Sequence, residues 1–341
     1  MQNKIKTAII GYGRSGKFLH AAGLKGNTDA YEVVAVAGRT DKNLEQAKAD
    51  FGCKTYKDYR VMLDEADLDL VIIVTRNAQH CEMACECLKA GAHVLVTKPL
   101  GINREEVETI YAVAKASSKK VFPFLPARWG TDYLRIKEII DSGEIGEVFA
   151  IRRSVYGFAT RDDWQTKTEF GGGIILNWAA HLIEPPMLLA GGKPKHLFGS
   201  CAQVLNGGDA EDIFYSIITM ENGTRIHSEW SFAPKGLANW FVQGTKGCII
   251  GNATELEIHS GEPTQPDDPT KFKDMEGSAK VRTEKVGDDI YGDPIDVYRD
   301  VAADLNGGDA YQVSQADAVR LIAAMEGIKQ SQQNETLIQL P

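Results

Sequence analysis

Along the first third of the chain, apolar positions alternate between two rhythms. Short runs rich in β-branched residues have the length and composition of buried strands: TAIIGYG from Thr7, EVVAVAGR from Glu32, LDLVIIVT from Leu68, AHVLVTKP from Ala92 and KVFPFLP from Lys120. The stretches between them, KFLHAAGLKG, NLEQAKADF, YRVMLDEA, AQHCEMACECLKAG and REEVETIYAVAKASS, carry apolar residues at helical spacing. Strand, helix and strand in repeated succession predict βαβ units, hence a doubly wound parallel sheet covered on both faces. After residue 122 the rhythm changes. One helix, TDYLRIKEIIDSG, precedes long alternating strands, EVFAIRRSVY, HLFGSCAQV, DIFYSIITM, TRIHSEWSF and NWFVQGT, with a turn such as ENGT joining neighbours. That is the pattern of an open, mainly antiparallel sheet. Residues 259–290 are polar and rich in Pro, Gly, Asp and Lys, so a surface loop is expected there, before two closing helices, PIDVYRDVAADLN and QADAVRLIAAMEGIKQ. The expected fold is α/β: a Rossmann-type parallel sheet over residues 1–122, then an α+β domain over 123–341.

Length agrees with two cores, since single cores stop growing below roughly 300 residues and the chain has 341. No apolar run approaches the roughly 20 residues that cross a bilayer, and the N-terminal residues lack the features of a secretory signal. A cytoplasmic protein is expected. Its net charge of −9, without a basic block, gives no footprint for nucleic acid or membrane. The six cysteines lack paired metal-site spacing and read as reduced, packed thiols; no metal site is expected.

The first strand runs into Gly11-Tyr12-Gly13-Arg14-Ser15-Gly16 and a helix follows at once. A glycine triplet in that setting binds a dinucleotide: Gly11 permits the tight turn, Gly13 lets backbone approach the diphosphate, and Gly16 allows close helix–strand contact. The phosphates then meet the free N–H groups of a helix N-terminus. The second strand ends in Gly38-Arg39-Thr40, where an acid would select NAD by bonding the ribose 2′-hydroxyl. Arg39 could pair with a 2′-phosphate, with Thr40 adding a hydrogen bond, or remain a solvated surface residue. The reading favours NADP, with NAD as the alternative.

Residues 71–99 resemble the Gfo/Idh/MocA family of oxidoreductases, whose motifs run T-P-N-x-x-H, A-x-x-A-L-x-A-G-K-H-V and E-K-P. Thr75, Asn77, His80, Ala84, Leu88, Ala90, Gly91, His93, Val94, Lys98 and Pro99 match. A second block, from Gly171-Gly172-Gly173 to Asn177 and His181, resembles the family's G-G-G-x-L-x-D-x-G-x-H. The resemblance implies that Lys98 lies beside the nicotinamide, that Lys98-Pro99 is cis, and that Thr75, Asn77, His80 and Thr97 border the dinucleotide. It also implies a homodimer or homotetramer built on the C-terminal sheet. Three positions depart from the pattern: Thr97 replaces a glutamate, Asn177 an aspartate and Arg76 a proline. Thr and Asn hydrogen-bond but hold no charge, so no second carboxylate acts at 177.

Oxidation of a secondary alcohol sends a hydride to the nicotinamide and a proton to a base within about 3 Å of the hydroxyl. His181 is the expected base, since an imidazole titrating near ~6.5 takes and returns a proton close to neutrality. Lys98 would stabilise the developing alkoxide, Asn177 would orient a hydroxyl, and Glu184 could hold the imidazole unless Pro185-Pro186 turns it away. A sugar or cyclitol substrate, with flat apolar faces edged by hydroxyls, suits Trp129, Trp164, Trp178 and Trp230 with Arg128, Tyr156 and Arg161; Trp164, in a polar segment, is the first choice. The expected activity is an NAD(P)-dependent sugar or cyclitol dehydrogenase. Two alternatives share the cofactor: a redox-cycling, NAD-retaining glycoside-cleaving enzyme or lyase, and a non-catalytic NAD(P)-binding sensor.

Overall fold

A computed structural model describes residues 3–252, 254–268, 270–271, 273, 279–287 and 291–341. Two compact units emerge, and they interleave along the chain instead of meeting at a single cut near 122. The first comprises Met1–Pro126, Asp163–Asn177 and Asp293–Ala323; the second comprises Ala127–Asp162, Trp178–Gly292 and Ala324–Pro341. Aromatic anchors explain the late return to the first unit. Tyr31 and Tyr298 meet edge to face at 5.6 Å, as do Phe122 and Tyr311 at 5.4 Å, and the Tyr311 hydroxyl donates to Pro123 O at 2.9 Å.

In the first unit β1 (Ile5–Ile10), β2 (Tyr31–Ala37), β3 (Lys54–Tyr56), β4 (Leu70–Ile73), β5 (His93–Thr97) and β6 (Val121–Phe124) form a parallel sheet ordered β3-β2-β1-β4-β5-β6. The five expected strands are present. β3 was not foreseen: three residues that keep a half-exposed edge show too little apolar period to stand out. Ile9, Val36, Val71, Ile72, Leu95 and Val96 lose all solvent contact, as a sheet covered on both faces requires. The strand order reverses between β1 and β4, whose carboxyl ends therefore flank the crevice where open α/β sheets bind ligands.

The second unit holds β7 (Val148–Gly157), β8 (Pro194–Ala202), β9 (Ile213–Met220), β10 (Arg225–Phe232), β11 (Trp240–Gly244), β12 (Gly247–Gly251), β13 (Glu255–Ser260), β14 (Lys280–Lys285) and β15 (Ile338–Gln339). They form one mostly antiparallel sheet in which only β7 and β10 pair in parallel among the described residues. β14 corrects the loop expected over 259–290: Lys280–Lys285 is a strand at the sheet's edge, hidden in the sequence by its charge. Residues 269, 272, 274–278 and 288–290 of that stretch lie outside the described residues.

One face of this sheet is covered by the helix Ala180–Ala190, which is stitched to β10 where Ser228 Oγ donates to Leu182 O at 2.7 Å. Beneath it Ile136, Ile151, Trp240, Val242, Ile249, Leu256 and Ile258 pack as a core. On the opposite face the register aligns Phe198, Ile217, His227, Arg152, Phe241 and Ile250 across six strands. Phe198, Ile217 and Ile250 on that row are exposed.

Candidate active site

The glycine turn has the geometry its chemistry needs. Gly11 sits at φ +97°, and a Cβ there would lie 2.3 Å from Val74 O. At Gly16 a Cβ would lie 2.6 Å from Gly11 O, whereas one at Gly13 would find no atom within 4 Å. Two glycines are thus demanded by protein contacts, and the third leaves an open cradle before the helical residues that begin at Arg14. A diphosphate fits that cradle, since the first N–H groups of a helix have no intrahelical acceptor. Arg14 is exposed and Ser15 half-buried at its rim. The Tyr12 side chain turns away from the loop. Only 1% exposed, it meets Phe51 edge to face and donates to Asp50 Oδ2 at 2.7 Å, so it brings only backbone to the loop. Burial and that carboxylate raise the phenol's pKa.

At the end of β2 Arg39 and Thr40 are exposed, and neither side chain has a hydrogen-bond or ion-pair partner among the described residues. The nearest acid, Asp41, starts the next helix and pairs with Lys57 at 2.5 Å, which holds its carboxyl below the ordinary range. The guanidinium at 39 is therefore available to a ligand anion.

β4 and β5 deliver the next residues. Lys98-Pro99 is cis, as the resemblance implied. Lys98 Nζ donates to Asn177 Oδ1 at 3.1 Å and to the Asn177 carbonyl oxygen. Thr75 is half-buried, its Oγ1 3.5 Å from Met83 Sδ. Asn77 and His80 are buried supports more than lining groups. Asn77 Nδ2 donates to Gly171 O at 2.7 Å, while the His80 ring nitrogens meet Pro99 O at 2.7 Å and Thr75 O at 3.3 Å. Burial lowers the His80 pKa against the opposite pull of the two carbonyls, and the ring spans the ends of β4 and β5. Arg76 sits over Phe170, guanidinium carbon to ring centroid 3.8 Å, which together with Asn77 fastens the Asp163–Asn177 segment within the first unit. Trp164 is on that segment, half-buried in the turn Trp164–Thr166.

In the second unit His181 is buried near the start of Ala180–Ala190, which follows a wide π-type turn, Ile175–Ala179. Tyr291 packs edge-on against the imidazole at 4.8 Å and Trp178 at 5.8 Å. Tyr291 was missed because it stands in a polar stretch without periodicity. Trp178 is the tryptophan found beside the histidine within the second unit. Arg128 is corrected as a substrate group: it is buried in a salt bridge with Glu184, which Pro185 and Pro186 leave inside an intact helix. The Glu184 carboxylate carries this ion pair from inside the helix. Trp129 is buried with its backbone and Cβ against Gly292, and Trp230 packs edge-on with Phe232 at 5.0 Å. Tyr156 donates to Glu229 Oε2 at 2.9 Å. The two-residue period of β7 sends it to the face opposite the His181 helix, which removes it from the histidine's side. Arg161 is half-buried, its backbone N–H donating to Asn206 Oδ1 at 2.8 Å.

A glycine cradle at a topological switch point, with a lysine at the end of a neighbouring strand, defines a class: oxidoreductases with an NAD-binding Rossmann fold. Comparison with known proteins supports this and narrows it. Residues 5–124 match the model of an oxidoreductase family with an NAD-binding Rossmann fold, and residues 133–250 match the GFO/IDH/MocA C-terminal domain. The chain belongs to the Gfo/Idh/MocA family. It is 26% identical over 349 residues to the uncharacterized oxidoreductase YdgJ of Escherichia coli K12, with 99% of each chain covered. It is 24% identical over 353 residues to the scyllo-inositol 2-dehydrogenase (NADP(+)) IolW of Bacillus subtilis 168, covering 98% of this chain and 96% of that one. Among solved structures, an NAD-binding protein from Listeria innocua shares the fold with a TM-score of 0.84 at 26% identity, covering 99% of this chain and 97% of that one.

Proposed function

We propose that the protein is an NADP-preferring dehydrogenase that moves a hydride between nicotinamide and a secondary alcohol or ketone of a sugar or cyclitol. The observation that carries this reading is Lys98, held by the neutral amide and the backbone carbonyl of Asn177 at the end of β5. An ammonium group placed by these uncharged acceptors at the end of a strand can donate to a developing alkoxide. The relative named as an NADP(+)-dependent scyllo-inositol 2-dehydrogenase points to the same substrate class. The nicotinamide, when bound, supplies the hydride chemistry. Gly11, Gly13 and Gly16 with the Arg14–Ser15 backbone hold the diphosphate, and Arg39 with Thr40 the adenosine ribose and its phosphate. Lys98 donates to the substrate oxygen, Asn177 sets the direction of that donation, and His181 takes the hydroxyl proton. Trp178 supports the imidazole and offers a ring face to the sugar. All six cysteines are free thiols, which suits work in a reducing cytoplasm.

The test is a screen of sugars and cyclitols with each cofactor, followed by the absorbance of reduced nicotinamide. Net reduction of NADP by a polyol supports the reading. Turnover of a glycoside with the cofactor retained and no net absorbance change would replace it with redox-cycling chemistry.

Cofactor choice has its own expected result. Arg39→Ala weakens NADP by about 1.5–3 kcal/mol, the scale of a hydrogen bond to a charged group, and leaves NAD nearly unchanged. Titration of each cofactor by quenching of tryptophan fluorescence measures it; equal losses would remove Arg39 from the site.

We further propose that the open face of the nine-stranded sheet joins copies of the chain as a homodimer or homotetramer. Phe198, Ile217 and Ile250 are exposed on one cross-strand row, apolar at both ends with His227 and Arg152 between, and a second copy can cover it. Ile217→Arg, which places a charge beside Phe198 at one apolar end of that row, is expected to give monomers in sedimentation while the fold persists by circular dichroism. An unchanged sedimentation coefficient would move the interface elsewhere.

A further inference from the structure

Thr97 is the last residue of β5, next to Lys98, and stands where the family motif has glutamate. Its hydroxyl belongs to a short chain of hydrogen bonds that ends deep in the first unit. Tyr298 Oη lies 2.7 Å from His20 Nδ1, and His20 Nε2 lies 2.8 Å from Thr97 Oγ1. Both His20 and Tyr298 are fully buried, and Phe124 packs on the imidazole at 4.5 Å.

Counting protons fixes the direction of this chain. Burial pushes His20 down to about 3, so the ring is neutral and carries one N–H. The Tyr298 hydroxyl, pushed well above its ordinary range by burial, keeps its proton. His20 is its one hydrogen-bond partner among the described residues, so Tyr298 O–H donates to Nδ1. The opposite tautomer would bury an O–H with no acceptor, which proteins avoid. The ring proton is then on Nε2, and that N–H donates to Thr97 Oγ1. Having accepted, Thr97 retains its own O–H, for which no acceptor is found among the described residues. Thr97 is only half-buried, so the hydroxyl can meet a ligand.

We propose that Thr97 is a dedicated hydrogen-bond donor to a neutral oxygen on the nicotinamide half of the bound dinucleotide, with His20 and Tyr298 as positioning residues that hold it in that role. This rests on the reading that the dinucleotide runs from Arg39 on β2, past the glycine turn on β1, to the ends of β4 and β5. A glutamate at this position can only accept, so the exchange to threonine, coupled to His20, reverses the polarity offered to the nicotinamide end. An acceptor oxygen there, a carboxamide carbonyl or a ribose hydroxyl, is the matching chemistry.

Two measurements test it without turnover. Nitrogen NMR of the ring in wild type should show the His20 proton on Nε2, with Nδ1 unprotonated and accepting from Tyr298. In parallel, Thr97→Val should weaken whole NADPH by about tenfold, the size of one neutral hydrogen bond, and leave ADP-ribose, which lacks nicotinamide, within about twofold. Thr97→Ser, which keeps the hydroxyl, should retain wild-type affinity and guards against a folding defect in the valine variant. A His20 proton found on Nδ1 in wild type, or equal losses for NADPH and ADP-ribose, would overturn the proposal. Failure of wild type to bind either ligand would instead overturn the cofactor reading beneath it.

Discussion

Replacing Lys98 with methionine is expected to lower kcat by about 10³-fold, roughly 4 kcal/mol of transition-state stabilisation, while cofactor affinity stays within a few-fold. The side chain keeps its length and loses only its charge and donors, so the packing of β5 is little disturbed. The magnitude follows from timing. The substrate oxygen is neutral in the ground state and becomes negative only as the proton leaves, so an ammonium aimed at it favours the transition state selectively. Asn177 keeps that ammonium in place without cancelling it, since its Oδ1 and carbonyl accept from Nζ but carry no net charge. Steady-state kinetics on one accepted polyol, with cofactor titration alongside, decides the matter. A variant that loses cofactor affinity and keeps kcat would make Lys98 a binding residue only.

The features written in local pattern were legible from the sequence, and those written in tertiary contact were not. Five strands of the parallel sheet show as apolar runs because both faces are buried, whereas β3, with three residues, and β14, with four charged residues in six, present no such run. The three glycines can be read because each answers a backbone demand that only glycine meets, at Gly11 a positive φ and at Gly16 contact with Gly11 O. Side-chain orientation is a different matter. Nothing near Tyr12 announces Asp50, which takes its hydroxyl, and nothing near Arg128 announces Glu184, 56 residues away. His20 falls on an amphipathic stretch and reads as one more helical residue until Thr97 and Tyr298 close around it. Tyr156 was placed with the substrate by residue type alone, yet strand alternation turns it to the opposite face. Residue type marks a candidate; register and long-range pairing decide whether it faces a ligand.

Proton transfer gives the other large effect. With asparagine at 177, no carboxylate at that position shares the task, and Glu184 carries an ion pair with Arg128. His181→Ala is therefore expected to lower kcat by about 10²- to 10⁴-fold, the range for a general base, with cofactor affinity nearly unchanged. The sign of the pH dependence follows from the role. In the oxidative direction the imidazole must be neutral to accept a proton, so kcat falls as pH falls and His181 becomes cationic. That acidic limb should vanish in His181→Ala. Asn177→Asp nearly preserves shape and adds a negative charge four residues from the imidazole, which favours the cation; the limb should then move to higher pH. The same carboxylate would also pair with Lys98 Nζ, so its field is shared and the displacement should stay below about one unit. Charge pairing would at the same time hold Lys98 back from the substrate oxygen, so kcat on the plateau should drop in Asn177→Asp even as the limb shifts. The measurement is kcat against pH for wild type and both variants on one substrate. An acidic limb that survives in His181→Ala would assign the proton to another group.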